Sequence, residues 1–255
     1  MRISAALFLL FVLTGCPSLN PRQEGTFPVS HAAFSTILAS HVDSQGYVDY
    51  LGLKNDLPVL TAYLHELSDN PPNDQNWSRE DKMAYWINAY NAFTLQLILD
   101  HYPIGSIKDI GQNIQVPLLN TPWDLPFVRI GKECYTLNDI EHRILRSNFD
   151  EPRIHFAINC ASLSCPKLRT EAYEATTLEN QLNDQAEEFI NDPIRNDITK
   201  EKARLSSIFL WFGRDFEKGQ TKIEFINQYS RISISKKTEI EYLAYDWRLN
   251  EKSLK

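Results

Sequence analysis

The sequence predicts an α+β fold: a helix-rich single domain with a small, largely antiparallel sheet around a buried central helix. The first observation is the segment "DKMAYWINAYNAFTLQLILDHY", residues 81–102, whose apolar residues cover nearly the whole helix circumference. The second is a set of shorter amphipathic segments before and after it. The third is a few short apolar runs bounded by turn residues, which are typical of strands in a small sheet.

Two helices and one short strand are predicted before the central helix. Ser30 can cap a first helix that runs to about His41. The segment "DSQGYVDY" then gives a turn at Gly46 and a short strand. From about Leu57 to Leu67, leucines recur on one face of a predicted second helix.

The central helix has clear signals at both ends. Ser78 and Asp81 resemble a capping box, although such a box prefers Glu or Gln at its last position. Pro103 ends the helix because proline cannot continue the backbone hydrogen bonding. We therefore expect a long helix that forms the spine of the domain.

The remaining elements are a hairpin, a helix, a strand, three helices and a final strand. "FVRIGKECYT" turns at Gly131 as a hairpin, and Thr136 caps the helix "LNDIEHRILR". "IHFAIN" is predicted as a short strand, and the amphipathic helix "TLENQLNDQAEEFINDP" ends at Pro193. "SSIFLWFGRDF" and "KIEFINQYS" give two short helices, and "IEYLAYDW" gives a strand. Because no repeat or linker interrupts this region, residues 29–255 are predicted to form one domain.

The first residues predict export and a lipid anchor. Arg2 precedes an apolar stretch that is too short to span a bilayer. The stretch ends in "LTGC", which resembles the bacterial lipobox and implies cleavage before Cys16 and lipid attachment to Cys16. Residues 1–15 would then be a lipoprotein signal peptide and residues 16–28 a lipidated tether. An ordinary secretory peptide or a short anchor is the alternative.

The predicted location is the bacterial cell envelope. Pro17 follows the lipidated cysteine, whereas Asp at that position would imply retention in the inner membrane. We therefore expect a protein held by lipid, such as palmitate, on the outer membrane and facing the periplasm. The membrane is its expected partner.

Composition excludes several classes of ligand. The formal net charge is −7 and no basic run occurs, so nucleic acid is not an expected partner. No glycine-rich phosphate loop is present, so we predict no nucleotide cofactor, nor any other cofactor. The candidate substrates are peptides or small molecules derived from the envelope.

Five ordered motifs carry a family resemblance. They are "YWINAYNAFTL", "YTLNDIEHRILR", "IHFAINCASLSCPKL", "IFLWFGRDF" and "YLAYDWRLN", and "GYVDYLGL" fits as well. Together they resemble the domain-of-unknown-function family number 547, over about residues 30 to 250. The resemblance implies membership without an established reaction, so function must be argued from the site.

The leading hypothesis is a thiol-dependent hydrolase or acyl transferase. Cys160 follows an apolar run where a polar loop begins, which suits a nucleophile. His142 is the candidate base, at the border of its helix's apolar face. Glu141 falls inside that face, so it needs a partner and could orient His142. Asn91 could polarise a substrate carbonyl as an oxyanion donor.

Other interpretations of these residues remain open. Cys160 and Cys165 could form a structural disulfide in a binding or scaffold lipoprotein, or a redox pair, although they lack the C-x-x-C spacing. His155 is a second candidate base and binding residue, or a packed histidine. Asn88 and Asn91 could instead tie loops to the central helix. No metal site is predicted, because C-x4-C is not the usual zinc knuckle.

Overall fold

The computed structural model describes residues 25–111 and 121–252. The predicted signal peptide, the lipidation residue Cys16 and most of the tether lie outside the described residues. None of the helices within the described ranges has both the length and the apolar character needed to span a bilayer.

Helices dominate the part of the chain up to residue 111. They are α1 (Ala32–His41), α2 (Tyr50–Leu53), α3 (Leu57–Asp69) and α4 (Arg79–His101). The predicted strand before α2 is reduced to single bridges of Val48 with Val42 and Glu251. Asp49 explains the change, because its carboxylate accepts a hydrogen bond from the N–H of Gly52 and opens α2 as an N-cap.

Residues 121–252 contain short helices and five strands. In chain order these elements are β1 (Val128–Ile130), β2 (Glu133–Tyr135), a π-helical segment (Asp139–Leu145), α5 (Arg146–Asn148), α6 (Ile154–Ala157), α7 (Leu178–Ile190), β3 (Asp197–Ile198), β4 (Lys202–Leu205), α8 (Ile208–Trp211), α9 (Lys222–Tyr229) and β5 (Glu239–Tyr242).

The strands form two small sheets, and the predicted α+β class is confirmed. β1 and β2 make the predicted hairpin, with Ile130 paired to Glu133. In the second sheet β4 pairs antiparallel with β3 and parallel with β5, where Ala203 lies opposite Ile240. The predicted final strand is β5, which stops at Tyr242.

The central helix α4 is buried as predicted. Ser78 and Asp81 form a complete capping box at its start. From Met83 to Leu99 every residue except Gln96 is buried. Burying a large apolar side chain contributes roughly 1.5–3 kcal/mol, so this helix organises the main core of the protein.

A second core is mainly aromatic and lies beside the first. Phe156 is at its centre, with ring centroids 4.8 Å from Phe189 and 5.5 Å from Phe216. Phe209 and Phe225 complete the cluster, together with apolar residues of α7 and β4. Because Phe156 belongs to α6, this core holds in place the loop that follows α6.

The segment "IHFAIN" is a helix and not the predicted strand. Ile154–Ala157 form α6, and only the residues after Ala157 are extended. Pro152 explains the helical start: its fixed φ suits a first turn, and its carbonyl accepts a hydrogen bond from His155. The helical turn changes the direction in which His155 points relative to Cys160.

Segment 243–252, which follows β5, crosses the loop after α6. The N–H of Leu163 donates to the carbonyl of Arg248 at 2.9 Å, and the N–H of Asn250 donates to Ala161 at 3.1 Å. The N–H of Val48 donates to Asn250 at 2.9 Å. Segment 243–252 therefore joins the loop after α6 to the turn before α2.

Candidate functional site

A cavity of about 180 Å³ lies between α4, the π-helical segment, the loop after α6, α8 and segment 243–252. Five of the residues predicted from sequence line it: Glu141, His142, His155, Cys160 and Cys165. The rest of its wall is mostly apolar and aromatic. A cavity of about 150 Å³ holds benzene, so there is room here for a group of about one six-membered ring.

Glu141 is a buried carboxyl group on this wall, with 8% of the residue exposed. It comes from the π-helical segment, where the N–H of Arg146 donates to the carbonyl of Glu141 five residues earlier. Burial raises the pKa of Glu141 from its ordinary 4.5 to about 7, against the opposing charge of Arg146. A carboxyl group that titrates near neutral pH can both donate and accept a proton.

The Glu141 carboxyl group makes no hydrogen bond within residues 25–111 and 121–252. The nearest ionisable partner is His155, whose Nδ1 lies 3.9 Å from Oε1 of Glu141. That distance is too long for a hydrogen bond. Since a buried polar group normally has a partner, the carboxyl is available to a molecule in the cavity.

The two histidines do not have the partners predicted from the sequence, in which Glu141 was expected to orient His142. Nε2–H of His155 donates to Asp215 at 2.8 Å, and the imidazole ring stacks on Phe212 at 4.0 Å. Burial lowers the pKa of His155, against the opposing effect of Asp215. The imidazole is therefore neutral at neutral pH, with Nδ1 as an acceptor facing Glu141.

Arg146 connects the two histidines through Asp215. Its Nε donates to Asp215 at 2.6 Å and its NH1 donates to Nδ1 of His142 at 3.0 Å. Burial and then the charge of Arg146 lower the pKa of His142, so this imidazole is neutral as well. Burial alone would raise the pKa of Asp215, but the hydrogen bonds from His155 and Arg146 hold it well below its ordinary value.

Cys160 and Cys165 are joined by a disulfide in the cavity wall. Cys160 is partly exposed, whereas Cys165 is 2% exposed. The predicted nucleophile therefore carries no thiol in this structure, and the disulfide alternative describes what is observed. The predicted base His142 has Arg146 as its partner.

The disulfide loop has an unusual backbone conformation. Ala161 has a φ of 59°, in the left-handed region that residues other than glycine rarely adopt. Asn159 supports it, because its Oδ1 accepts a hydrogen bond from Ala161 at 2.7 Å and its Nδ2 donates to the carbonyl of Pro166 at 2.7 Å. Such conformations cluster at functional sites, where the surroundings impose them.

Asn88 and Asn91 lie away from the cavity and anchor loops to α4. Nδ2 of Asn91 donates to Ala157 at 3.0 Å, and its Oδ1 accepts from the N–H of Asn159 at 2.8 Å. Asn88 makes the same two-way pairing with the backbone of Tyr173. The Nδ2 of Asn91, which was predicted to polarise a substrate carbonyl, thus donates to a backbone carbonyl instead. Both side-chain amides hold loops against α4.

Several residues of the site were not assigned a functional role from the sequence. Tyr245 lies 4.5 Å from Trp247 and 4.8 Å from Trp211, measured between ring centroids, and all three line the cavity. Trp211 is half exposed and lies at the edge of this aromatic wall. These residues and Asp215 belong to the motifs "IFLWFGRDF" and "YLAYDWRLN", so the motifs themselves were the available signal.

Metal-ligand geometry is not found in the described residues. In residues 25–111 and 121–252, no three side chains of His, Cys, Asp or Glu are grouped so that they could hold an ion.

Comparison with known proteins gives one match. Residues 75–190 match the family described as "Protein of unknown function, DUF547", which supports the family that the motifs predicted. The matched part includes α4, the π-helical segment and both cysteines, and it ends before Asp215 and Tyr245. No curated protein and no solved structure matches the chain.

Proposed function

We propose that the cavity is the active site of an enzyme in which Glu141 exchanges a proton with a small uncharged substrate, or with the water that attacks it, during hydrolysis or group transfer. The observation that carries this proposal is the carboxyl of Glu141, which is buried on the cavity wall, makes no hydrogen bond, and has a pKa of about 7. Strongly shifted pKa values of buried groups in clefts mark candidate catalytic residues. General acid–base catalysis is most effective when the pKa lies near the working pH.

The surrounding residues suit this role. Asp215 holds the ring of His155 in one orientation, so its neutral Nδ1 points toward Glu141 as a proton acceptor. Arg146 neutralises Asp215 from the other side. The pKa of Glu141 is raised and that of Asp215 is lowered, and this kind of separation distinguishes a proton donor from a permanently charged group.

The cavity favours an uncharged substrate with one ring or a group of similar size. Both histidines on its wall are neutral, and the rest of the wall is mainly aromatic. Hydrolysis through a Cys160 thiolate is not part of this proposal, because the sulfur is bonded to Cys165. The second candidate function is ligand binding without catalysis, and the aromatic wall of the cavity favours it as much as it favours an enzyme.

Hydrolysis of p-nitrophenyl acetate, a neutral single-ring ester, tests the proposal. With the Glu141 carboxylate as the general base that takes a proton from the attacking water, the rate should rise with pH through about 7. Glu141→Gln should lower the rate by about a hundredfold or more. Glu174→Gln is a matched control, because the pKa of Glu174 is also raised by burial although the residue does not line the cavity. Equal rates in both variants, or no hydrolysis by the native protein, would refute the enzyme proposal.

We also propose that the domain is anchored in the bacterial envelope through lipid on Cys16. The lipobox-like "LTGC" supports this, and a disulfide between Cys160 and Cys165 suits an oxidising compartment. Growth with an alkyne-tagged palmitate should label the native chain and leave Cys16→Ser unlabelled. Equal labelling of the two chains, or none, would contradict the anchor.

A further inference from the structure

We propose that the Cys160–Cys165 disulfide is redox-active and exchanges with an external low-molecular-weight thiol, with Cys160 as the attacked sulfur and Cys165 as the leaving thiolate. This activity does not depend on Glu141 and rests on a different set of contacts. It would make the cavity a site of thiol–disulfide exchange. The argument depends on which groups surround each sulfur.

Three hydrogen-bond donors surround the sulfur of Cys165. The backbone N–H of Cys160 lies 2.9 Å from it, the Tyr245 hydroxyl 3.2 Å, and the Ser162 hydroxyl 3.4 Å. The two hydroxyls also lie 3.4 Å from the sulfur of Cys160, but the backbone N–H contacts Cys165. The donors therefore converge on Cys165 more than on Cys160.

This arrangement suits a thiolate better than a disulfide. A disulfide sulfur accepts hydrogen bonds weakly, whereas hydrogen bonds to a charged group are about twice as strong as neutral ones. The donors are already in position in the oxidised protein, so little rearrangement is needed when charge develops on Cys165. Nearby donors of this kind lower a thiol pKa and make the thiolate a better leaving group.

Exposure assigns the two cysteines different roles. Both cysteines line the cavity, but only Cys160 is partly exposed, which makes it the more accessible of the two to an entering thiolate. Cys165 is almost completely buried. The accessible sulfur is thus the one that can form a mixed disulfide, and the buried sulfur is the one with the most donors.

The exchange balances in two steps. The external thiolate attacks Cys160, so a new S–S bond forms as the Cys160–Cys165 bond breaks and its electron pair goes to Cys165. A second external thiolate then attacks the external sulfur of the mixed disulfide and releases Cys160 as a thiolate. Overall, two external thiols are oxidised to a disulfide, the protein disulfide gains two electrons, and the two protein thiolates take up protons according to their pKa values.

The test is a titration of the full chain in glutathione redox buffers, followed by acid quenching, alkylation and mass analysis of the peptide containing Cys160 and Cys165. We expect the native disulfide to be reduced within the range of the glutathione couple. The quantity compared is the square of the reduced glutathione concentration divided by the oxidised glutathione concentration, at half-reduction of the disulfide. Tyr245→Phe should need a value about tenfold higher than the native protein does, because one donor to the thiolate is lost. Tyr242→Phe is the matched control: its hydroxyl accepts from Lys222, and its residue does not line the cavity.

A second measurement does not depend on the Tyr245 variant folding. In Cys160→Ser, the pH dependence of the alkylation rate of Cys165 gives the pKa of its thiol, which should lie below the ordinary 8.5. Adding Ser162→Ala to this variant should raise that pKa. Cys165→Ser should form a mixed disulfide with oxidised glutathione at Cys160 faster than Cys160→Ser does at Cys165. A disulfide that stays oxidised in all glutathione buffers, a Cys165 pKa of 8.5 or higher, or equal titrations of the two tyrosine variants would overturn the proposal.

Discussion

Glutamine in place of Glu141 keeps the shape of the side chain and removes its ability to ionise, so the variant isolates the energetic effect of one buried carboxyl. In the folded protein the pKa of Glu141 is raised by burial from 4.5 to about 7. A difference of one pKa unit corresponds to about 1.4 kcal/mol, so the ionised carboxyl destabilises the fold by about 3 kcal/mol. Glu141→Gln should therefore be more stable than the native protein at alkaline pH.

Proton binding determines the direction in which stability changes with pH. Between about pH 4.5 and pH 7 the folded state holds the Glu141 proton more tightly than the unfolded state, so stability falls as the pH rises through this window. Above pH 7 the full destabilisation is present, and below pH 4.5 it is absent. The gain from Glu141→Gln should accordingly be near zero at pH 4.5 and reach about 3 kcal/mol at pH 8.

Urea unfolding without reductant, at both pH values, measures this difference. Each free energy of unfolding is extrapolated to water, and the native protein and the variant are compared at each pH. Glu174→Gln serves as the control, because its carboxyl is partly exposed and should give a smaller pH-dependent gain. If Glu141→Gln has the same effect at pH 4.5 and pH 8, the carboxyl is not held in a desolvated site and the reasoning fails.

Two further predictions concern the supports of the site. Asn91→Ala leaves the backbone groups of Ala157 and Asn159 without their partner, so it should lower the free energy of unfolding by about 2–4 kcal/mol. Gln96→Ala is the control: this residue of the same helix is less buried, and its substitution should change the free energy of unfolding by less than about 0.5 kcal/mol. Similar urea midpoints for the two variants would contradict the anchoring role. Ala161→Gly should stabilise the protein by about 1 kcal/mol, because glycine adopts a φ of 59° freely, and a lower melting temperature for this variant would contradict it.

The sequence predicted the elements whose signals are local. Ser78 and Asp81 cap α4, and the apolar pattern of that helix shows that it is buried on all sides. β3 and β4 were not predicted, because the alternation of Lys202 and Arg204 with apolar residues extends over only four residues, which is a weak strand signal. β3 has only two residues, and it pairs with β4 as a local hairpin. The second partner of β4 is β5, more than thirty residues later in the chain, and no local pattern indicates that pairing.

The sequence predicted several residues of the site, but it did not predict which of them contact one another. Glu141 stood out because a charged residue fell on an apolar helix face, and it is indeed buried. Its partner could not be identified, because the choice between His142 and His155 depends on the π-helical turn and on α6. Asp215 is 60 residues from His155 in the chain, so only the packing of the second core brings them together.

Segment 243–252 has a consequence for the way the protein matures. It supplies Tyr245 and Trp247 to the cavity and hydrogen-bonds to the loop that carries the disulfide. In the order of the chain these two residues come after every other residue that lines the cavity. In a chain exported N-terminus first, as the proposed lipid anchor implies, both cysteines reach the oxidising compartment before the tyrosine that contacts their sulfurs.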